Sequence, residues 1–323
     1  MEYRQLGDSD IRVSEISLGC WTLGGPNWSA GTAIGWADVD ETEAIRAVHY
    51  GLDRGVNHFD NADVYGNGRA ERLLAKALGP RRKDVVVATK VGHFPGTAEH
   101  AYDALHIRHQ CEQSLRNLNT DFIDLYYFHH GDFGPGDHYL DGALECVQRL
   151  RDEGKIRLIG LSAYSEDAFA RLVPRIRPTV LQSWAHLMDD RFIRPGGIVE
   201  KLLAEYRMSF VAFSPLNQGI LLGRYGPENP PQFPPGDHRR GKEKFAAPAL
   251  RDVAAKLDQV KRRFGAGVQD LARVAQQFIL GHPNVACVIP GFRDQRQVEC
   301  NLAAAGRPLS AEDIEALRVI FAS

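Results

Sequence analysis

The sequence contains no apolar run that approaches the roughly 18 residues of a membrane-spanning helix. Its first residues, Met-Glu-Tyr-Arg-Gln-Leu, lack the apolar core of a secretory signal peptide. The formal net charge is only −2, so no excess of positive charge favours nucleic acid or an anionic membrane. We therefore expect neither nucleic acid nor a membrane among the partners of this protein.

Cysteines are also scarce, and no two of them form a Cys-x-x-Cys pair. The chain has five, an odd number, at Cys20, Cys111, Cys146, Cys287 and Cys300. A scattered, odd set does not provide the paired framework of a disulfide-rich secreted domain. The expected setting is therefore the reducing cytoplasm.

Two short motifs that would indicate other architectures or functions are missing. A Gly-x-Gly-x-x-Gly turn after the first strand would favour an open, doubly wound sheet, and the chain has none there. A His-x-His pair on an early strand would favour a metal-dependent hydrolase, and none of the 12 histidines forms one. We therefore expect no metal site.

The chain does contain a regular alternation of short apolar strands with amphipathic helices. The eight predicted strands are Glu15–Leu18, Val56–Phe59, Val85–Thr89, Phe122–Phe128, Ile156–Leu161, Val180–Gln182, Phe210–Phe213 and Ala286–Ile289. Most are apolar on successive residues, which is typical of parallel strands covered on both faces. Eight such units predict a (β/α)8 TIM barrel, formed by one domain over residues 1–323.

Two segments depart from this alternation. Residues 2–14 predict an N-terminal β-hairpin, because two short apolar runs flank the turn signal Gly-Asp-Ser-Asp. Residues 224–245 contain five prolines and the basic residues Arg224, Arg239 and Arg240, between the seventh and eighth strands. A stretch of this length without strands or helices is usually functional. We predict a lid-like loop over the mouth of the barrel.

Residues 55–66 combine a buried strand with groups that exchange protons. Asp60 lies where the apolar run stops, and Tyr65 lies on the loop that follows. A nearby cation can lower the pKa of a tyrosine from roughly 10, and Lys90 ends the next predicted strand. His129 ends a further strand, and barrel strand ends meet at one face. Each residue alone could have a purely structural role, but together the four predict a proton-transfer site.

Seven short stretches make the sequence similar to the aldo-keto reductases over nearly its whole length. They are Gly-Cys-Trp (19–21), Phe-Asp-Asn-Ala-Asp-Val-Tyr-Gly (59–66), Ala-Thr-Lys (88–90), Asp-Leu-Tyr-Tyr-Phe-His (124–129), Gly-Lys-Ile-Arg-Leu-Ile-Gly-Leu-Ser (154–162), Phe-Ser-Pro-Leu (213–216) and Ile-Pro-Gly (289–291). The resemblance implies NAD(P)H-dependent reduction of an aldehyde or ketone, and the reverse oxidation. It also implies that the catalytic residues are Asp60, Tyr65, Lys90 and His129.

The chemistry of this family suggests a role for each member of the set. Tyr65 would donate the proton, Lys90 would lower the Tyr65 pKa, and Asp60 would hold Lys90. His129 would hydrogen-bond the carbonyl oxygen. His130 stands where many members of the family have tryptophan, so the role is placed on His129.

The resemblance further implies a cofactor site that extends from the nicotinamide to the adenosine. The implied residues are Cys20, Trp21, Asp60, Ser162, Gln182, Phe213, Ser214, Leu216, Gln218, Gly219, Arg224, Gly291, Arg293, Gln297 and Asn301. Arg293 suits a 2′-phosphate, which favours NADPH, although NADH also stays possible. Ala163 and Cys300 depart from the Asn and Glu that are usual in the family.

Substrate choice is expected to depend on aromatic residues in the loops. Trp28 and Trp36 in the first loop, Phe94 in the third and residues 133–139 in the fourth predict an aromatic pocket for a small carbonyl compound. These aromatics could instead pack the loops themselves. A nicotinamide-nucleotide-sensing module without turnover, as in channel-associated members of the family, is the alternative function.

Overall fold

The computed structural model describes residues 1–29 and 31–322, and these residues form twelve short strands. In chain order the strands are β1 (Tyr3–Gln5), β2 (Arg12–Ser14), β3 (Leu18–Gly19), β4 (Trp28–Ser29), β5 (Thr32–Ala33), β6 (His58–Asp60), β7 (Val86–Val91), β8 (Ile123–Phe128), β9 (Ile156–Ser162), β10 (Val180–Trp184), β11 (Ser209–Phe213) and β12 (Val285–Ile289). Eight of them, β3 and β6–β12, form one sheet of parallel strands. The other four pair as two antiparallel hairpins.

Ten α-helices separate or follow these strands in the described part of the chain. They are α1 (Glu41–Leu52), α2 (Arg69–Leu78), α3 (Ala104–Leu118), α4 (Leu140–Asp152), α5 (Glu166–Ile176), α6 (Ile198–Glu205), α7 (Ala247–Phe264), α8 (Val268–Leu280), α9 (Gln295–Leu302) and α10 (Ala311–Ala322). Asp40 caps α1, because its side chain accepts a hydrogen bond from the Glu43 N–H. None of these helices has both the length and the apolar character that a membrane crossing requires.

The parallel sheet closes on itself where β12 approaches the segment before β3. The sequence predicted a first barrel strand at Glu15–Leu18, but the observed strand β3 contains only Leu18 and Gly19. Within the predicted range, Ile16 pairs with Val288 through an isolated bridge. Hydrogen bonds from Ser17 N–H to the Val288 oxygen (2.9 Å) and from Val288 N–H to the Glu15 oxygen (3.0 Å) join the edges. The predicted (β/α)8 barrel is therefore confirmed. Only a few hydrogen bonds join β12 to the segment before β3 and close the barrel.

The N-terminal hairpin is also confirmed, and it covers the end of the barrel where the strands begin. Arg4 donates to the backbone oxygens of Leu280 and Val285, at 2.8 and 3.0 Å. Gly7 N–H donates to the Ser209 hydroxyl at the start of β11. Because one end of the barrel is closed in this way, a ligand must enter at the opposite end, where the strands finish.

Residues 224–245 contain no strand or α-helix and only one 3₁₀ turn, which begins at Glu243. The segment lies between β11 and α7. Gly236 lies against the ring of Trp28, and Tyr225, Phe233 and Phe245 pack edge to face. These contacts give the segment its own apolar core without regular structure.

Candidate active site

Four proton-handling side chains lie at the open end of the barrel on neighbouring elements. Asp60 is the last residue of β6, Lys90 is the next to last of β7, and His129 directly follows β8. Because β7 pairs with both β6 and β8, the three positions are adjacent on one rim. Tyr65 lies on the loop between β6 and α2.

Lys90 and Asp60 form an ion pair below this rim, with only 0% and 2% of their side chains exposed. The Lys90 Nζ donates to Asp60 Oδ1 and to the Asn61 backbone oxygen, which is 2.6 Å away. Asp60 Oδ2 accepts from Gln182 Nε2 at 2.8 Å. A buried ion pair is tolerated only with such additional hydrogen bonds. Gln182, predicted as a cofactor contact, therefore also holds Asp60.

The loop of Tyr65 is fixed by a close backbone contact with the first βα loop. Gly66 has a φ of +61°, and a Cβ there would lie 2.0 Å from the Gly24 oxygen, so only glycine fits. The Tyr65 ring centroid lies 5.2 Å from Lys90 Nζ. This contact places the ring over the buried ion pair.

The pKa of Tyr65 differs from the expectation drawn from the sequence. Burial raises the pKa of Tyr65 well above its usual value, and the negative charge of Asp60 raises it further. Lys90 does not reverse this effect, because its charge is compensated by Asp60 at contact distance. Tyr65 therefore carries its proton at neutral pH.

His129 lies beside Tyr65, with ring centroids 5.9 Å apart. Burial lowers the pKa of His129 well below its usual value, and His93 and Lys90 add to this, so the imidazole is neutral. His130 turns away, because its Nε2 donates to the Gly92 oxygen and its backbone N–H donates to a tyrosine hydroxyl. The structure thus brings His129, and not its neighbour, beside Tyr65.

A cavity of about 590 Å³ opens above these residues at the end of the barrel. Tyr65 and His129 line it, whereas Lys90 lies entirely below its floor. Every residue that the resemblance assigned to the cofactor also lines this cavity: Cys20, Trp21, Asp60, Ser162, Gln182, Phe213, Ser214, Leu216, Gln218, Gly219, Arg224, Gly291, Arg293, Gln297 and Asn301. The fold therefore gathers residues from the whole length of the chain around one space.

The polar atoms along this cavity fit a nicotinamide dinucleotide. Ser162 Oγ and Gln218 Oε1 are buried and have no hydrogen-bond partner among residues 1–29 and 31–322. Buried polar atoms are costly unless a ligand or water supplies the partner. The turn after β11 has left-handed backbone at Ser214 and Gly219, with φ values of 55° and 92°. Backbone of this kind presents N–H groups to anions such as phosphate.

The end of the cavity near α9 is held by hydrogen bonds among the residues expected at the adenosine. The Arg293 backbone N–H donates to Gln297 Oε1 at 2.9 Å, and its guanidinium donates to the Ala37 oxygen at 3.2 Å. Asn301 Nδ2 donates to the Gly291 oxygen at 3.2 Å. Arg293 thus lines the cavity while these two hydrogen bonds anchor it.

The lid-like segment touches the first βα loop across the cavity. The His238 N–H donates to the Gly35 oxygen at 2.9 Å. The His238 ring centroid lies 4.3 Å from that of Trp21 and 4.8 Å from that of Trp36. Two segments that are far apart in sequence therefore form one continuous wall.

The three arginines of this segment differ in their surroundings. Arg239 lines it, but Nε and Nη2 donate to the two Asp237 oxygens at 2.9 and 2.7 Å, and the guanidinium lies over Trp36. Arg240 is exposed and does not line the cavity. Among the described residues, only Arg224 in this group lines the cavity without a carboxylate partner. Arg239 differs from Arg224 because Asp237, two residues before it, already binds its guanidinium.

The aromatic pocket predicted from the loops is only partly correct. Trp36 lines the cavity, but Trp28 and Phe94 do not. Residues 133–139 do not line it either, because Phe133 is buried in a stack 4.3 Å from the Tyr102 ring. The aromatic residues and histidine that sequence reasoning missed are His93, Tyr164, Trp184 and Tyr225. Three of these four follow or end a barrel strand, a position that signals exposure at the open end.

Known proteins of one family are similar to this chain over nearly its whole length. The chain matches the Aldo/keto reductase family over residues 15–321. It is 29% identical over 338 residues to the aldo-keto reductase YhdN of Bacillus subtilis, with 99% of this chain and 94% of that protein covered. Its fold is similar to that of an aldo-keto reductase from Bacillus halodurans in its holo form (TM-score 0.76, 29% identity, 99% and 96% of the two chains). It is also similar to the glycerol dehydrogenase of Gluconobacter oxydans (TM-score 0.81, 26% identity, 99% and 95%).

The family match includes all eight strands of the barrel and every residue that lines the cavity. The structural matches extend over nearly the whole of both chains, so the similarity is not confined to a common barrel core. The chain therefore belongs to the aldo/keto reductase family and is an NAD(P)H-dependent oxidoreductase.

Proposed function

We propose that the protein uses NADPH to reduce an aldehyde or ketone to an alcohol, and catalyses the reverse oxidation, through Tyr65, His129, Lys90 and Asp60. The observation that carries this proposal is the buried Lys90–Asp60 pair directly below a cavity that both Tyr65 and His129 line. Lys90 is paired with Asp60 and has no access to solvent, so it contributes little to ligand binding. We expect it to act instead on Tyr65, which lies above it.

Each side chain has a role that its surroundings support. A bound NADPH supplies the hydride that reduces the carbonyl carbon. Tyr65 donates the proton that the carbonyl oxygen then requires, and its raised pKa is no obstacle, because an alkoxide is a stronger base than a phenolate. His129, being neutral, donates a hydrogen bond to the same oxygen. Lys90, 5.2 Å from the Tyr65 ring centroid, then offsets part of the negative charge of the phenolate, even though Asp60 keeps the resting pKa of Tyr65 raised.

The proposed preference for NADPH depends on Arg293. Replacing Arg293 by alanine is expected to weaken NADPH binding about 10- to 150-fold, which corresponds to roughly 1.5–3 kcal/mol for a hydrogen bond to a charged group. NADH, which lacks the 2′-phosphate, should lose little affinity. Fluorescence titration of both cofactors measures the two dissociation constants.

Arg296 provides a matched control, because it lies three residues further along the chain, in α9, with 90% of its side chain exposed. Arg296→Ala should leave both affinities unchanged. Equal weakening of NADPH and NADH by Arg293→Ala would mean that the guanidinium does not bind the 2′-phosphate.

We further propose that residues 1–323 form one domain and that residues 224–245 act as a lid on the cofactor. The contacts of His238 and Arg239 with the first βα loop support this proposal, because they join the segment across the cavity. Saturating NADPH should slow hydrogen exchange in this segment more than at the strand ends, and alanine at the lid arginines should speed cofactor release. Identical hydrogen exchange in residues 224–245 with and without NADPH would mean that the segment is only a surface connection and not a lid.

A second candidate function is a nucleotide sensor that binds the cofactor without turnover. A screen of NADPH oxidation over aldehydes, ketones and open-chain sugars separates the two. The name of the glycerol dehydrogenase from Gluconobacter oxydans is a reason to include polyols in the oxidation direction. Turnover of any compound in the panel supports the reductase, whereas tight NADPH binding with no turnover supports the sensor.

We also propose that the protein acts in the cytoplasm. All five of its cysteines are free and buried, as suits a reducing compartment. Burial raises the pKa of Cys287 to about 12, so this thiol stays protonated and unreactive. Purified protein should accordingly show no change of thiol count after treatment with a reducing agent.

A further inference from the structure

The turn that follows β11, at residues 214–219, has a backbone conformation that is unfavourable for side chains. Ser214, Asn217 and Gln218 are not glycine, yet their φ values are 55°, 43° and 58°. Left-handed backbone at such residues is strained, and it persists only where the surroundings hold it. Several residues of the 214–219 turn line the cavity that the cofactor is proposed to fill. Contacts behind the turn therefore decide the shape that the cofactor meets.

Asn217 holds the 214–219 turn from behind. It is only 6% exposed and, unlike its two neighbours in the chain, it does not line the cavity. Its Nδ2 donates to Met188 Sδ at 3.3 Å, and its Oδ1 accepts from Lys244 Nζ at 2.9 Å. Met188 lies in the loop after β10, and Lys244 lies in the lid-like segment. The amide of Asn217 thus ties the turn to two other parts of the chain.

Lys244 brings a positive charge to this contact, and no carboxylate offsets that charge in the described part of the chain. The residue is partly buried, and its burial, together with the charges of Lys242 and Arg239, lowers the pKa of Lys244 to about 8. His186 and His238 also face it, and both are neutral because burial lowers the pKa of His186 to about 4 and that of His238 to about 3. Lys244 is therefore mostly protonated at pH 7 and loses its proton in mildly alkaline solution.

We propose that Lys244 is a positioning residue for the dinucleotide, because its bond to Asn217 holds the 214–219 turn in the shape that receives the pyrophosphate. The inference rests on the proposed cofactor site and goes beyond the proposed lid. Lys244 does not line the cavity, so it acts on the turn and not on the cofactor directly. A turn that is already ordered binds its ligand without the entropic cost of ordering. The anionic phosphates, once bound nearby, also favour the protonated form of Lys244.

Replacing Lys244 by methionine keeps an aliphatic side chain and removes the ammonium group. At neutral pH we expect the Kd values of NADPH and NADH to rise by a similar factor, about 5- to 30-fold, because both cofactors carry the same pyrophosphate. Without cofactor, hydrogen exchange in residues 214–219 should become faster in this variant. Lys244→Arg keeps a cation with N–H donors and should stay within a few-fold of wild type. Lys242→Met is the matched control, because the Lys242 Nζ contacts His238 Nδ1, at 3.0 Å, and not the turn.

The pH dependence of cofactor binding distinguishes this role from a purely structural one. Because bound cofactor favours protonated Lys244, the wild-type Kd for NADPH should be low near neutral pH and should rise as the pH increases through about 8. Lys244→Met has no group to titrate there, and the guanidinium of Lys244→Arg stays charged. Both variants should therefore lose this rise, which fluorescence titrations between about pH 7 and pH 9.5 measure.

Unchanged Kd values in Lys244→Met, or the same rise with pH in wild type and both variants, would overturn the inference. Weaker binding of NADPH alone would also overturn it, because that result would place Lys244 at the 2′-phosphate. Thermal unfolding shows whether each variant is folded, and if Lys244→Met does not fold, the pH dependence of Lys244→Arg decides. Wild-type protein that binds neither cofactor would instead contradict the proposed function itself.

Discussion

Replacing Tyr65 by phenylalanine is expected to lower the rate of carbonyl reduction by about two to four orders of magnitude, the usual contribution of a positioned general acid. The change removes one hydroxyl and keeps a ring that lies 6.2 Å from Trp21 and 5.2 Å from Lys90 Nζ. The shape of the cavity and the affinity for NADPH should therefore be preserved. Rates at saturating NADPH, together with a fluorescence titration of the cofactor, measure the two effects separately.

Tyr127→Phe is the matched control for this experiment. The Tyr127 ring lies 5.7 Å from Lys90 Nζ, almost as close as the Tyr65 ring, but it is fully buried and does not line the cavity. The rate of Tyr127→Phe should stay within a few-fold of wild type if a tyrosine acts as the general acid because it reaches the substrate, and not because it lies close to Lys90. Near-wild-type turnover in Tyr65→Phe would exclude Tyr65 as the proton donor.

Replacing Asp60 by alanine is expected to lower the free energy of unfolding by about 3–5 kcal/mol, because it leaves a buried charge without its partner. Lys90 would keep only the Asn61 backbone oxygen, and none of its side chain is exposed to water. Gln182 would lose its acceptor in the same step. Urea unfolding at neutral pH measures the loss, and turnover should fall because Lys90 is no longer held.

Two further variants isolate the cause. Asp53→Ala breaks an exposed ion pair with Arg81 and should cost less than about 1 kcal/mol. Asp60→Leu combined with Lys90→Met removes both buried charges and should recover much of the stability without recovering activity. If Asp60→Ala were as stable as wild type, Lys90 would not be a buried cation, and its proposed role would fail.

The barrel and the four proton-handling residues could be predicted because each depends on local sequence. Apolar runs at regular spacing define the strands, and the residue that ends each run lies at the open end of the barrel. Asp60, Lys90 and His129 were found by this rule alone. His93 and Tyr164 also lie just beyond strand ends, but the rule does not say which loop residues turn inward.

The remaining features depend on contacts between segments that are distant in sequence. Phe133 was expected in the pocket and instead stacks on Tyr102, which a sequence without coordinates does not reveal. Lys90 was expected to lower the Tyr65 pKa, but the balance depends on how fully Asp60 compensates it and on how deeply the site is buried. Arg239 was singled out only as a basic residue of the 224–245 loop, and the sequence did not show that Asp237, two residues away, binds its guanidinium.

The most direct test of the proposed reaction follows the hydride itself. Enzyme is incubated with NADPH that carries deuterium at C4 of the nicotinamide, on each face in turn, and with a carbonyl compound that the screen shows to be reduced. We expect one of the two labelled cofactors to deliver deuterium to the carbinol carbon of the product, and Tyr65→Phe to bind the same cofactor but to deliver it more slowly, by about two to four orders of magnitude. Product without deuterium from either cofactor, or equally fast transfer by Tyr65→Phe, would contradict hydride reduction with Tyr65 as the acid.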